Sequence, residues 1–351
     1  MYTKPPKKLL IMSILDILRR YTDENHRLSQ NDIVGILKRE YHMESDRKSV
    51  KRNLMDLKEF GYDINYSDSV RMYRKSNGEQ EESHILTDFY LSHDFTDSEL
   101  RLLVDSVMFS KQIPAAQSRR LVKKLRGLSN IYFESSVRHI AKPPAEKTDN
   151  QQVFLNIELL DEAITKGLQV KFHYNEYHTD THLHHRRRKD GTVREYIINP
   201  YQMAAQEGKY YLICNNDKYD AITNYRIDRI CDLELLETKV KPFEALPQSG
   251  GMRLDLEEYM RRHIYMFAGG DVRASFRIDK RYLSDVIETF GKTIRFSDES
   301  DTHVTVTAKV NEMAMEHFAL RYVPSVTILK PESLRNKVRE TLLAALGDHE
   351  Q

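Results

Sequence analysis

The sequence has no tryptophan, two cysteines and only 13 glycines among its 351 residues. Cys214 and Cys231 are too few for a disulfide framework, so we expect two small buried side chains in a reducing compartment. No stretch approaches about 18 uninterrupted apolar residues, and none is expected to span a membrane. The basic N-terminal stretch has neither a separate apolar core nor a small-residue cleavage site, so no signal peptide is expected. These absences predict a cytoplasmic protein.

Net charge is almost absent as well. The chain has 54 Lys and Arg residues against 53 Asp and Glu residues, a balance that excludes a histone-like polycation. The distribution is uneven, however. Residues 1–80 carry 16 basic and 12 acidic residues, a net +4, which leaves −3 for the remainder. Because binding to nucleic acid neutralises phosphates with Lys and Arg, a nucleic-acid partner is expected at the N-terminal part.

Hydrophobic periodicity predicts the organisation of this N-terminal part. Apolar residues recur at helical spacing over about 7–21, 29–41 and 45–60, which predicts three short helices. Alternating residues on both sides of 67–69 then predict two strands joined by a turn at that point. Three helices followed by a two-stranded ribbon predict a winged helix-turn-helix domain over residues 1–78.

The rest of the chain divides at two stretches of composition change. Two helices and a Pro-rich, aperiodic segment at 141–149 predict a helical linker region over 79–150. A helix and five short strands predict a small β-barrel over 151–241. The order β-α-β-β-α-β then predicts a ferredoxin-like domain over 252–348. At about 100–200 residues per domain, the length fits two or three folded domains of an overall α+β class.

The third helix carries the candidate DNA-binding residues. Its basic residues lie opposite its apolar positions, on the face that a helix-turn-helix places in the major groove. A basic helix face is more often plain solvated surface, but the helix order and the hairpin that follows favour DNA binding. The candidates are Arg47, Lys48 and Ser49 for base edges, Lys51 and Arg52 for phosphates, and Arg71 and Arg74 on the hairpin.

Three segments of the predicted barrel carry a family resemblance. Pro200 lies in a strand, Tyr210-Tyr211-Leu212 follows, and Arg226 and Arg229 lie in a later Asp-Arg-Ile motif. Together they resemble the WYL domain, a family named for its Trp-Tyr-Leu tripeptide. Many members have an Arg where this chain has Tyr196. The N-terminal unit and the region from about residue 271 resemble the winged helix and the extension domain that flank WYL domains.

The resemblance implies a homodimeric bacterial transcription regulator with an SH3/Sm-like WYL barrel that senses a nucleotide or nucleic-acid effector; several members are linked to phage defence or DNA damage. The effector-binding residues that it implies are Tyr211, Arg226 and Arg229, with Tyr174 at the end of the first barrel strand. Side-chain chemistry agrees, since guanidinium groups bind phosphate and tyrosine rings stack on bases. The alternative is that Arg229 pairs with a neighbouring aspartate, Asp228 or Asp232.

Other signals do not predict a reaction. His178, His182, His184 and His185 lie beside Arg186-Arg187-Arg188 between two strands, which favours a basic hairpin tip over a metal site. The chain has no P-loop, no Gly-rich dinucleotide fingerprint and no His-Glu-x-x-His. We therefore predict no metal site, no cofactor and no enzymatic activity.

The combined prediction is an effector-responsive transcription regulator, a repressor and homodimer, that binds a double-stranded DNA operator. Effector binding to the barrel is expected to change the spacing of two recognition helices and so the operator affinity. An accessory protein that binds RNA or single-stranded nucleic acid is the alternative. A nucleotide-processing enzyme is a third, weaker one.

Overall fold

The computed structural model describes residues 6–74, 80–133 and 147–349. The chain forms two compact units, one of Met1–Ser110 with Ala115–Glu146 and one of Lys111–Pro114 with Lys147–Gln351. None of the described helices is long and apolar enough to cross a membrane. The predicted α+β class is confirmed, and both cysteines are free and buried as expected.

The first unit begins with three helices around one core. A 3-10 turn at Lys7–Leu9 leads into α1 (Leu10–Tyr21), α2 (Gln30–Glu40) and α3 (Arg47–Phe60). Their apolar faces meet in a single buried cluster that includes Leu18, Leu37 and Leu54. Local chemistry sets the ends of α3. Asp46 caps its first turn by accepting the Ser49 N–H, and Gly61 ends it with a φ of +116°, which favours glycine.

A long hairpin follows, and it differs from the prediction. Strand β1 (Ile64–Arg74) pairs antiparallel with β2 (Gln80–Leu91). The turn predicted at 67–69 is wrong, because β1 continues through these residues and Ser69 pairs with Ile85.

The polar residues at 67–69 fit a solvated strand as well as a turn. The Asp68 carboxylate lies 2.9 Å from His84 Nδ1 on the partner strand, so the sheet itself engages this polar side chain. A register shift between Asn65 and Ser67 takes up the local irregularity without ending the strand. The domain boundary predicted at residue 78 therefore lies between two strands that pair with each other.

The described part of the first unit contains two further helices. They are α4 (Asp97–Phe109) and α5 (Ala115–Arg126). Leu100, Val104, Val122 and Phe133 form their small buried cluster. The segment predicted as a linker at 141–149 lies outside the described residues up to residue 146.

The second unit contains the predicted barrel, preceded by α6 (Val153–Lys166). Six strands form one sheet in the order β4-β3-β5-β6-β7, with β8 paired to β3. The prediction of five strands missed the short β4. The strands are β3 (Leu168–Tyr177), β4 (Leu183–His185), β5 (Glu195–Gln206), β6 (Lys209–Asn215), β7 (Ile222–Arg226) and β8 (Ile230–Lys239). Between β7 and β8 the chain makes a 3-10 turn at Ile227–Arg229.

The C-terminal part has the predicted ferredoxin-like order. After 3-10 turns at Phe243–Ala245 and Pro247–Ser249, the elements are α7 (Leu256–Arg262), β9 (Asp271–Asp279), the 3-10 turn Lys280–Tyr282, α8 (Leu283–Phe290), β10 (Arg295–Ser297), β11 (His303–Asn311), α9 (Glu312–Arg321), β12 (Val326–Lys330) and α10 (Glu332–His349). The sheet order is β10-β11-β9-β12, with antiparallel neighbours throughout. Phe276, Val306 and Phe318 are fully buried in the core beneath it.

The buried face of α3 makes a stability prediction. Leu54 is fully buried, whereas Leu102 on α4 in the same unit is 69% exposed. Leu54→Ala should lower the free energy of unfolding of the first unit by about 2–5 kcal/mol, because it leaves a cavity in the core. Leu102→Ala, the matched control, should change it by about 0.5 kcal/mol or less. Hydrogen exchange of the α1–α3 amides measures both, and equal effects would contradict the assignment of the faces.

Candidate nucleic-acid interface and effector site

Helix α3 separates an apolar face from a basic one. Val50, Leu54 and Leu57 are buried against the other helices. Lys48 and Arg52 are exposed on the opposite side, whereas the exposed Arg47 and the half-buried Lys51 lie at the flank of the apolar face. Within the described ranges, no hydrogen bond or salt bridge engages any of these four basic side chains. The face is therefore free to contact phosphates and base edges.

Ser49 has a structural task at the start of the same helix. Its N–H donates to Asp46 Oδ1 at 2.8 Å, and its hydroxyl lies 3.1 Å from Oδ2. These two hydrogen bonds hold the pKa of Asp46 below its usual value, so the carboxylate is charged at the positive end of the helix dipole. Of the residues predicted to read bases, Ser49 is thus the one already engaged within the protein.

The hairpin carries less positive charge than its first strand suggested. Arg71 is exposed on β1, with Ser83 opposite it on β2. Glu82, which precedes Ser83 on β2, lies opposite Met72 and adds an acidic group. The backbone of Arg74 ends β1, but its side chain lies outside the described residues. Arg71 is therefore the one predicted hairpin contact whose side chain the described residues place.

The barrel brings aromatic rings together on the inner face of β3 and its neighbours. The Tyr225 ring centroid lies 4.9 Å from that of Tyr174 and 5.3 Å from that of Tyr196. Phe172 stacks against Tyr196 at 5.6 Å beneath them. Such edge-to-face and offset contacts stabilise the cluster beyond simple burial. Phe172, Tyr174 and Tyr196 are buried in the barrel core, and of these four rings Tyr225, which is half-buried, is the one that offers surface to a base.

Three of the four predicted effector residues meet beside this cluster. Tyr211 and Arg226 are direct cross-strand partners, and the Arg226 N–H donates to Tyr174 Oη at 3.2 Å. Burial raises the pKa of the Tyr174 hydroxyl, while the hydrogen bond from Arg226 and the charge of Arg229 oppose that rise. The tyrosine hydroxyl therefore stays protonated and can donate to an anion.

The Arg226 guanidinium is held in one plane by Asp228. Its Nε and Nη2 donate to the two carboxylate oxygens at 3.0 and 2.7 Å, and Asp228 is buried. Burial lowers the pKa of Arg226, but the hydrogen bonds and charge of Asp228 outweigh it and raise the pKa overall. Such a bidentate pair fixes the orientation of the cation.

Arg229, unlike Arg226, is held by no carboxylate of the described residues. Its guanidinium carbon lies 5.5 Å from the Tyr177 ring centroid, and its buried Nε has no hydrogen-bond partner among the described residues. The alternative prediction paired Arg229 with Asp228 or Asp232. Asp228 instead binds Arg226, and Asp232 lies 3.2 Å from His173 Nδ1. Arg229 therefore retains unused donor capacity at the edge of the site.

Comparisons with known proteins identify two domains in the second unit of the chain. A model of the WYL domain matches residues 156–235, and a model of the WCX domain matches residues 270–346. The chain therefore contains a WYL domain followed by a WCX domain. The matched ranges lie within the predicted barrel at 151–241 and the predicted C-terminal domain at 252–348. A comparison with curated protein sequences gives no match.

Solved structures are similar to this WYL protein at low identity. Proteasome accessory factor B/C (PafBC) of Arthrobacter aurescens is 15% identical over 99% of the chain, with a TM-score of 0.26. The chain covers 50% of that protein and thus spans about half its length. A CRISPR Cas-related protein is 12% identical over the whole chain and 88% of its own length, with a TM-score of 0.35.

Two arginines of the WYL site were not predicted as site residues. The Arg194 guanidinium carbon lies 4.8 Å from the Tyr196 ring centroid, and that of Arg186 lies 5.5 Å from the Tyr174 ring centroid. A hydrogen bond to Glu176 raises the pKa of Arg186. The sequence predicts a basic hairpin tip for Arg186, because β4 is too short to be recognised from the sequence. In the structure β4 pairs with β3, and this pairing brings Arg186 to Tyr174. At Tyr196, where many WYL domains have Arg, Arg194 supplies the guanidinium from two residues upstream.

The two motif arginines should differ in their effect on stability. Arg226→Ala leaves the buried Asp228 carboxylate unpaired and should lower the free energy of unfolding by about 2–3 kcal/mol. This is less than for a fully buried pair, because the Arg226 side chain is 24% exposed. Arg229→Ala breaks no ion pair and should cost about 1 kcal/mol or less. Urea unfolding followed by tyrosine fluorescence measures both, and a larger loss for Arg229→Ala would contradict these partners.

Proposed function

We propose that this WYL protein is a transcription regulator that binds duplex DNA through α3 and responds to an effector bound at its barrel. The observation that carries the proposal is the unengaged basic face of α3 in a three-helix unit followed by a hairpin. The protein acts as a homodimer and a repressor, and it works by binding rather than by catalysis.

The spacing of the basic residues supports a groove-binding helix. Arg47 and Lys51 are four residues apart, as are Lys48 and Arg52, so each pair lies along one face of α3. Arg47 and Lys48 belong to the first turn, which enters the major groove in helix-turn-helix proteins. Lys51 and Arg52 then reach the flanking phosphates, and Arg71 on the hairpin adds one more phosphate contact.

The barrel site supports an effector that combines phosphate with a flat ring. The half-buried Tyr211 and Tyr225 offer ring surface, and Arg194 and Arg229 offer guanidinium groups that no carboxylate holds among the described residues. Guanidinium groups bind phosphate through paired donors, and aromatic rings stack on bases without regard to sequence. A nucleotide or short oligonucleotide satisfies both parts of the site.

An effector regulates DNA binding only if it binds the two states of the protein differently. A homodimer presents two copies of α3, which must match half-sites about 34–36 Å apart. Effector binding at the barrel changes that spacing and so weakens or strengthens the repressor on its operator.

The basic face predicts the salt dependence of DNA binding. Replacing Arg47 and Lys51 together by Ala removes one base-edge contact and one phosphate contact, and the loss of the Lys51 contact should make the slope of log Kobs against log salt less steep by about 0.9. The double variant Lys292→Ala with Arg295→Ala is the matched control. It removes the same charge from exposed positions of the C-terminal domain and should leave the slope unchanged. Fluorescence anisotropy with a labelled duplex measures each slope.

This titration also separates the two nucleic-acid hypotheses. If the wild-type protein binds single-stranded DNA or RNA but no duplex, the alternative of a single-strand-binding accessory protein replaces the regulator. If duplex binding is equally reduced in both double variants, α3 is not the contact surface.

The barrel predicts an effector contact that is separable from DNA binding. Arg229→Ala should weaken binding of a short fluorescent single-stranded oligonucleotide at least about tenfold, since it removes a charge-assisted phosphate contact. Arg277→Ala, an exposed arginine on β9, is the control and should retain the affinity. Duplex binding without effector should be unchanged in both variants. Oligonucleotide affinity that follows Arg47 and Lys51 instead would place the effector on α3 and contradict the assignment to the barrel.

A further inference from the structure

The outer face of the barrel gathers four potential metal donors from three strands. His185 comes from β4, His173 from β3, and Cys231 and Asp232 from β8. Cys231 Sγ lies 3.5 Å from His185 Nδ1, and His173 Nδ1 lies 3.2 Å from Asp232 Oδ2. Donor atoms of His185, Cys231 and Asp232 all lie within 4.8 Å of one another.

The pairing of the strands puts these residues on one face. His173 is the direct cross-strand partner of Cys231, and His185 is the partner of Asn175. Side chains of direct partners lie on the same side of a sheet, and residues two apart on β3 share that side. Tyr174, between His173 and Asn175, points to the buried core. The donors thus lie on the face of β3 opposite to the aromatic cluster.

A β-bulge brings the fourth donor to the same side. Neighbouring residues of a regular strand point to opposite faces, so Cys231 and Asp232 would normally diverge. The register of β8 shifts by one residue between the partners of Lys171 and His173, and Asp232 has a φ of +52°. Aspartate adopts this left-handed conformation more readily than most residues, although at a cost in energy. Gln152 stabilises it by accepting the Asp232 N–H at 2.9 Å.

Cys231 has surroundings unlike those of an ordinary buried cysteine. Cys214 is fully buried in the apolar barrel core. Cys231 is 8% exposed, yet its sulfur faces polar atoms: the His173 carbonyl, Asn175 Oδ1 and His185 Nδ1, each at 3.5 Å. Both thiols lie near a backbone carbonyl, that of Thr223 for Cys214, but Cys231 also has a histidine nitrogen within 3.5 Å.

We propose that His185, Cys231 and Asp232, with His173 beside Asp232, form a binding site for a borderline-soft divalent metal ion such as Zn²⁺. In a tetrahedral site, Zn–S bonds of about 2.3 Å and Zn–N bonds of about 2.0–2.1 Å put sulfur and nitrogen about 3.5 Å apart. The Cys231–His185 separation of 3.5 Å matches such an edge, and Asp232 offers a carboxylate oxygen within 4.8 Å of both donor atoms. Thiolate and imidazole donors favour Zn²⁺ over Mg²⁺ or Ca²⁺, which prefer oxygen.

The ion would tie β4 to β3 and β8 close to Arg229, which lies two residues before Cys231. It would thereby hold the basic hairpin of residues 178–194 against the barrel. Sequence spacing gave no sign of this site, because its donors come from strands far apart in the chain. Of the four histidines that the sequence analysis assigns to the hairpin tip, His185 alone belongs to the proposed site. The site does not depend on the DNA-binding function proposed above.

Cobalt substitution tests the proposal on the full-length protein, stripped of metal by a chelator in the presence of a reductant. Titration with Co²⁺ should give one ion per chain, with a thiolate-to-cobalt charge-transfer band that Zn²⁺ removes by displacement. Cys231→Ser should abolish the band, whereas Cys214→Ala, the matched control, should retain it. His185→Gln should lower the affinity for Co²⁺ at least about tenfold, while His182→Gln, an exposed hairpin histidine, should not.

A charge-transfer band that persists in Cys231→Ser, or that disappears in Cys214→Ala alone, would overturn the proposal. So would a wild-type protein that binds less than about one-tenth of an ion per chain. Since His185 is exposed, His185→Gln should fold normally, and it tests the site even if Cys231→Ser does not fold. Equal Co²⁺ affinity of His185→Gln and His182→Gln would also reject the site.

Discussion

The burial of one face of α3 is the constraint on which the account of the N-terminal unit depends. Val50, Leu54 and Leu57 lie in the core formed with α1 and α2. Because an α-helix makes one turn every 3.6 residues, burying these positions leaves Lys48 and Arg52 on the opposite side and Arg47 and Lys51 at its flank. The same hydrophobic contacts that stabilise the unit thus decide which residues can meet DNA.

In the barrel, strand β3 also divides its side chains between a buried face and an outer face. Side chains of β3 alternate, so Phe172 and Tyr174 enter the aromatic core while His173 and Asn175 face outward. The Arg226–Asp228 pair fixes a cation beside the inner rings. The bulge in β8 places Asp232 on the outer face together with Cys231. The two sides of β3 therefore carry different groups, aromatic rings inside and polar side chains outside.

Local signals in the sequence were sufficient for the helices and for the order of the C-terminal domain. The third helix was predicted over about 45–60 and spans Arg47–Phe60, because the Asp46 cap and Gly61 act within a few residues of its ends. The hairpin turn at 67–69 was predicted wrongly. Serine and aspartate also occur in solvated strands, and the pairing of Asp68 with His84 depends on a residue 16 positions away.

Side-chain partners across distant strands were the least predictable feature. Sequence proximity suggested Asp228 or Asp232 as a partner for Arg229, yet the 3-10 turn at Ile227–Arg229 directs Asp228 to Arg226. Arg186 joined the effector site only through the short β4, which has too few residues for a visible alternation. The metal donors required both the register of β8 with β3 and its bulge.

The central claim is that α3 lies in the major groove of duplex DNA. Dimethyl sulfate methylates guanine at N7, which faces the major groove, and adenine at N3, which faces the minor groove. The measurement uses duplexes selected from a random-sequence library by binding to the full-length protein. The account predicts protection of guanine N7 within the selected site, and loss of that protection when Arg47 and Lys48 are replaced by Ala. Protection confined to adenine N3, or no selected duplex at all, would contradict it.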